Sequence, residues 1–331
     1  MAGSRTVLTR GREITASEML EKIDCGDRIA MDVKDVRFYG AESVTGNIPY
    51  WRISLNETAT PDALDPSSET MVIAELDRMR FKLSKRVAPM PFTWRSTAHE
   101  ELHFIHRGKG RFLTELGVID AMPGRFIHVA RGVRYRVVPE GGELFDFILE
   151  SEVELRPSDH WSVVRLKTTQ PQFPLPPEEA TPGAWEERIN GLDWTARVER
   201  NYDPLRIKEI VGAHELAYAI DMNDIPNDVP GTHRPLRLFT NELLDLDISR
   251  QGDGEGPPFY HRNNVRNEIH FVHTGDADQR TELGYIKAPA GTLYCMPYGI
   301  EHTFGKRDTT PATLLFETKG RVRLSDAVRT R

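Results

Sequence analysis

The chain has 331 residues, 39% of them hydrophobic, enough for one large or two medium domains, each with its own core. Its net charge of −7, with 43 basic residues scattered rather than striped, gives no support to a nucleic-acid partner. No apolar run approaches the roughly 20 residues of a membrane-spanning helix, so a membrane partner is not expected either.

In chain order, the opening stretch Met1–Leu20 lacks the apolar centre of a secretory signal. One short helix is predicted over Ser17–Lys22, with Thr15 or Ser17 as its cap. The two cysteines, Cys25 and Cys295, cannot make a disulfide framework, and a reducing cytoplasm is the expected compartment. Gly (25) and Pro (22) punctuate short runs of Val, Ile, Phe and Tyr, which favours many short strands over helices. The run ELHFIH from Glu101 to His106 alternates faces with period two, and EIHFVH from Glu268 to His273 does the same.

Those two runs belong to an internal repeat. Displaced by 167 residues, 91–135 and 258–302 align without a gap, and 16 of the 45 positions are identical. The shared positions include Glu101/Glu268, His103/His270, His106/His273, Gly108/Gly275, the TELG runs 114–117 and 281–284, Gly124/Gly291 and Gly132/Gly299. A unit of this length seen twice implies two copies of one domain rather than a solenoid. Between the copies, TTQPQFPLPPEEATPG (168–183) carries five prolines and reads as an extended linker. The expected layout is therefore a first domain at 1–167, the linker at 168–183 and a second domain at 184–331. Short strands with glycine corners predict an all-β fold of two tandem barrels or jelly rolls, with a few short peripheral helices.

The second copy carries His261, Asn263, Glu268 and Gly275, followed by Gly291, Pro297, Gly299 and His302. This spacing resembles the two motifs of the cupin superfamily over about 45 residues of each half. The resemblance implies jelly-roll barrels and a divalent metal held by His261, Glu268 and His302, with Asn263 open between ligand, substrate contact and turn residue. Two imidazoles and one carboxylate leave metal positions free for substrate and dioxygen, as in non-heme Fe(II) oxygenases; Mn or Zn also suits such donors. In the first copy, Trp94, Ser96 and Tyr135 stand at the positions of His261, Asn263 and His302, and only Glu101 is kept. The first domain is therefore expected to bind no transition metal and to be structural.

The string PPFYHRN (257–263) is similar to the segment opening the metal site of homogentisate dioxygenases, and the hydroquinone dioxygenase large subunits share its His-x-Asn. Homogentisate dioxygenases place Glu six positions after the first His, where this chain has Asn267; the match of Glu268 to Glu101 selects Glu268. The likeness implies a bicupin ring-cleaving dioxygenase that takes a small dihydroxylated aromatic and dioxygen, uses Fe(II), and forms a homo-oligomer or joins a partner subunit. His270 and Tyr298 are the candidate catalytic contacts. Tyr260, Asn263 and Tyr294 are candidate substrate contacts, and His214 and His233 are acid–base candidates by position alone. The repeat also gives His270 and His273 a structural reading, because His103 and His106 recur in the copy without a site. Cys295 reads as packing. The competing readings are an isomerase or lyase using Mn or Zn, and a binding or storage bicupin without turnover.

Overall fold

The computed structural model describes residues 7–9, 12–14, 28–31, 50–172, 184–206, 216–226, 235–250, 260–304 and 311–329. The helix expected at Ser17–Lys22, Cys25, most of the linker, His214 and His233 lie outside these residues. The chain is all-β, in two units of jelly-roll type with a few short helices such as Pro61–Leu64 and His160–Val164. No helix among the described residues is long and apolar enough to cross a membrane.

The first-copy unit comprises Thr58–Leu155, Leu166–Ile225 and Val322–Arg331, built on an 11-stranded sheet. Its long strand Arg134–Ser151 lies between Glu100–Thr114 and Met79–Arg86. The second-copy unit comprises Met1–Glu57, Arg156–Arg165 and Pro226–Arg321, with a seven-stranded and a five-stranded sheet. Aromatic and branched side chains fill each interior: Phe92, Trp94, Phe112 and Tyr135 in the first, Val272, Ile286, Tyr294 and Met296 in the second. Burying a side chain of this size contributes about 1.5–3 kcal/mol.

The domain boundaries differ from the sequence expectation of 1–167 and 184–331. Trp185–Asn190 runs parallel to Phe92–Ser96, and Ala217–Asp221 pairs antiparallel with Arg125–Val129. Residues 184–225 thus belong to the first-copy unit. Conversely, Arg28–Met31 pairs with Tyr260–Asn263, and Trp51–Ser54 with Thr292–Met296, in the second-copy unit. The physical reason is edge pairing: an exposed strand edge is satisfied by whichever segment can reach it, and local patterning does not name that segment.

The repeat survives in atomic detail. Thr114 Oγ1 donates to the Gly117 carbonyl (2.8 Å) and accepts from the Leu116 N–H (3.0 Å); Thr281 does the same with Gly284 (3.0 Å) and Leu283 (3.0 Å). The turn closes through Gly117 at φ 126° and Gly284 at φ 129°, a region only glycine enters without strain. The TELG identity is therefore the signature of one hairpin turn made twice.

Candidate metal centre

Strand alternation brings the site together. Tyr260–Asn263 and His302–Phe304 are antiparallel neighbours in the five-stranded sheet, and His261 lies directly opposite His302. Glu268 comes from Asn267–Thr274 in the seven-stranded sheet, opposite Met296 and Glu317. All three side chains are buried, and one ligand atom from each lies within 4.8 Å of the others. Glu268 Oε2 is 3.2 Å from His302 Nε2, and Oε1 is 3.6 Å from His261 Nε2. Two imidazoles converging on one carboxylate are a donor set that a divalent cation fits.

Neighbouring groups fix these ligands. His302 Nδ1–H donates to the Ile300 carbonyl at 2.8 Å, which leaves the Nε2 lone pair facing Glu268. The TELG turn clamps the preceding residue: Glu282 Oε1 accepts from the Glu301 N–H (3.0 Å), and the Glu282 N–H donates to the Glu301 carbonyl (2.9 Å). The Gly299 N–H donates to the Asn263 carbonyl (2.6 Å), tying the two motifs to each other. The side chain of Asn263 donates from Nδ2 to Glu268 Oε1 at 3.2 Å, and its Oδ1 is buried without a hydrogen-bond partner among the described residues.

The other sequence candidates divide. His270 is buried, with Nε2 3.3 Å from Glu268 Oε2. Tyr294 stacks flat on His270 (centroids 4.6 Å, 6°) and accepts from Gln279 Nε2 at 3.0 Å, so it buttresses His270 from within the core. The structure does not gather Tyr298 into the cluster. Its side chain is 59% exposed on the turn, and its backbone N–H is what is used, donating to Asn267 Oδ1 (3.3 Å). Asn267 also donates to the Gly320 carbonyl (2.6 Å), a bracing role for the residue beside Glu268. The Tyr260 side chain lies outside the described residues. Burial drives His273 down to about 4, leaving it neutral. Burial and Glu268 push the Cys295 thiol up, so it is no thiolate nucleophile at neutral pH.

The first copy holds the same frame with different chemistry. Trp94 lies opposite Tyr135, as His261 lies opposite His302, and Glu101 lies opposite Glu150, as Glu268 lies opposite Glu317. Trp94 Nε1–H donates to Glu101 Oε1 at 3.1 Å, and the Tyr135 hydroxyl also donates to Glu101. Burial and Glu101 hold the Tyr135 phenol well above its ordinary value, so it stays the donor. Two N–H and O–H donors thus close on the carboxylate where the second copy presents two imidazoles. Sequence reasoning missed Asp146, whose Oδ2 lies 2.7 Å from His103 Nδ1 and whose counterpart is Thr313. Burial alone would lower His103, but Asp146 and Glu101 hold it above its ordinary value. A signal was present: an aspartate within the apolar strand run LFDFIL, on the same face as Glu150.

No family model matches the chain. Among solved structures, the cupin 2 conserved barrel domain protein from Leptotrichia buccalis is 12% identical over 81% of this chain and 96% of its own, with a TM-score of 0.48. Salicylate 1,2-dioxygenase from Pseudaminobacter salicylatoxidans is 11% identical over 80% and 83%, with a TM-score of 0.48. A variant of Bacillus subtilis oxalate decarboxylase is 9% identical over 85% and 80%, with a TM-score of 0.41. At such low identities the assignment of chemistry falls to this chain's own residues.

Proposed function

We propose that the chain is a metal-dependent bicupin enzyme, an Fe(II)-dependent ring-cleaving dioxygenase for a dihydroxylated aromatic of the homogentisate or hydroquinone type. The observation that supports this is the convergence of His261, Glu268 and His302 from two sheets within 4.8 Å, at positions where the other copy has only Glu101. When bound, Fe(II) supplies the redox chemistry by which dioxygen attacks an aromatic ring, with positions left for both reactants.

The chain's own residues do the rest. The Ile300 carbonyl sets the His302 tautomer, and Asn263 Nδ2 orients Glu268. His270 lies flat against Tyr294 with Nε2 3.3 Å from Glu268 Oε2, and is the imidazole placed to hold a proton beside the carboxylate. His261, Glu268 and His302 are all buried, and keeping bulk water from them strengthens the charge interactions inside.

The test is elemental analysis of protein purified without added metal. Anaerobic Fe(II) loading and an oxygen-electrode assay with catechol, hydroquinone, gentisate and homogentisate then follow. Oxygen uptake with a ring-cleaved product supports the dioxygenase. Substrate consumption without oxygen, with Mn or Zn bound, instead identifies an isomerase or lyase, which the same mixed nitrogen and oxygen donors would serve.

A further inference from the structure

The hairpin of Trp185–Asn190 and Thr195–Arg200 closes one end of the 11-stranded sheet in the first-copy unit. Among the described residues, Trp185–Asn190 is the only strand bonded to Thr195–Arg200, whose other edge is unpartnered. We propose that this edge is a homodimer interface, on which a second copy of the chain lays its own Thr195–Arg200 antiparallel, about a twofold axis through Val198.

The edge is regular and its hydrogen-bond phase is fixed. The Gly191 N–H donates to the Trp194 carbonyl (2.8 Å) across the turn, and the Asn190 carbonyl accepts from the Thr97 N–H (2.8 Å) on the opposite side of the hairpin. Asn190 therefore faces away from Thr195, so the ladder bonds within the hairpin fall at Ala196, Val198 and Arg200. The N–H and C=O groups of Thr195, Arg197 and Glu199 point outward. No proline, glycine or bulge interrupts the strand. Its inner side is firmly held: buried Glu187 accepts from Arg134 (2.9 Å) and Arg200 (2.8 Å) and pairs with Arg95 (3.0 Å). Such an edge is presented to a partner with little left to order.

Charge selects the occupant and the register. Arg197 and Glu199 are exposed, and neither forms an ion pair among the described residues. Inside the hairpin Arg197 stands opposite Arg188 and Glu199 opposite Glu186, like against like, an unfavourable arrangement. A dimer centred on Val198 sets Arg197 of each copy opposite Glu199 of the other, and each such pair exchanges both backbone bonds. Centring on Arg197 or on Glu199 would instead bring like charges together on the axis. In the register centred on Val198, exposed Trp194 and exposed Tyr202 also fall opposite each other, one at each end of the strand. An edge guarded against association carries charge of one sign or a proline; this one alternates in sign and is its own complement. The interface does not depend on the metal-centre reading.

The experiment is sedimentation velocity on the full chain, loaded up to high micromolar concentration. The wild type should show reversible self-association. Arg197→Glu and Glu199→Arg should each weaken it about tenfold, and combining them should restore it, because the exchanged charges complement each other again. The register is read with Val198→Cys. Residues facing each other at a non-hydrogen-bonded position lie about 4.5 Å apart at Cα, within disulfide range. Mild oxidation should therefore link Val198→Cys into a covalent dimer, and link neither the wild type nor Ala196→Cys. Circular dichroism checks that each variant is folded; should Val198→Cys fail, the charge exchange decides. A wild type that sediments as a monomer throughout would overturn the proposal. So would single reversals that associate as tightly as the wild type, a combined variant no better than the single ones, or Ala196→Cys linking as readily as Val198→Cys.

Discussion

Glu282 holds Glu301 by two hydrogen bonds, one to its N–H and one to its carbonyl, and so fixes the backbone immediately before the candidate ligand His302. Glu115 makes the same pair with Arg134 in the first copy, before Tyr135. Glu282→Ala should therefore weaken metal binding about tenfold, the scale of a lost ligand-orienting partner. Glu115→Ala should leave metal affinity unchanged. Titration against a competing chelator reads both, and equal effects in the two variants would refute a positioning role for Glu282.

Removal of either imidazole tests the centre itself. His261→Ala and His302→Ala should each abolish stoichiometric metal in the purified protein. Trp94→Phe should leave metal content intact but lower stability by about 1–3 kcal/mol, because buried Glu101 loses its indole donor. Elemental analysis and urea unfolding separate the two effects. Metal loss in Trp94→Phe would remove the asymmetry between the copies.

The same asymmetry should be reversible by substitution. Combining Trp94→His with Tyr135→His places two imidazoles opposite each other beside Glu101, in the register that His261 and His302 occupy beside Glu268. The double variant is expected to bind a second equivalent of Zn or Co. A stoichiometry still at one per chain would show that the first-copy frame is not equivalent to the second.

His273 sets an acid limit on stability. Burial lowers it from 6.5 to about 4, so the unfolded chain binds this proton more tightly than the folded one. Stability then rises with pH across this window and is lost as pH falls from 6.5 toward 4. The difference of 2.5, at about 1.4 kcal/mol for each, amounts to about 3 kcal/mol. His273→Leu should flatten urea-unfolding stability between these pH values relative to the wild type. An unchanged slope would mean that another group carries the acid sensitivity.

Two glycines with the same backbone angle should differ when given a side chain. Gly108 (φ 84°) and Gly132 (φ 86°) share the left-handed strain, yet a Cβ at Gly108 would lie 2.0 Å from the Glu143 carbonyl oxygen, whereas Gly132 faces open space. Gly132→Ala should cost about 1–2 kcal/mol, the conformational term alone. Gly108→Ala should cost distinctly more, since backbone atoms must shift. Chemical denaturation of the pair is the measurement, and equal costs would remove the packing argument.

The repeat made much of the frame legible. The 167-residue displacement, the period-two runs and the TELG turns each have a direct counterpart in strand register, because alternation and turn chemistry are local properties of sequence. Glu268 could be chosen over Asn267 for the same reason, through its match to Glu101. The segment assignments were not legible. Nothing in WEERIN at 185–190 says that it will lie parallel to Phe92–Ser96, since a strand edge recruits partners across any separation. The exposure of Tyr298 and the pairing of Asp146 with His103 likewise depend on where turns point and which strands meet.

The interleaved pairing also governs when each half can finish folding. Arg323–Leu324 bonds to Met71–Leu76 in the same unit as Glu100–Thr114, and residues 184–225 supply two further neighbours there. A ribosome that has just made residue 167 therefore presents a sheet with raw edges, and the earlier motif must wait for nearly the last residues synthesised. Cutting the gene at the proline-rich stretch should accordingly yield two insoluble fragments that regain solubility only when produced together.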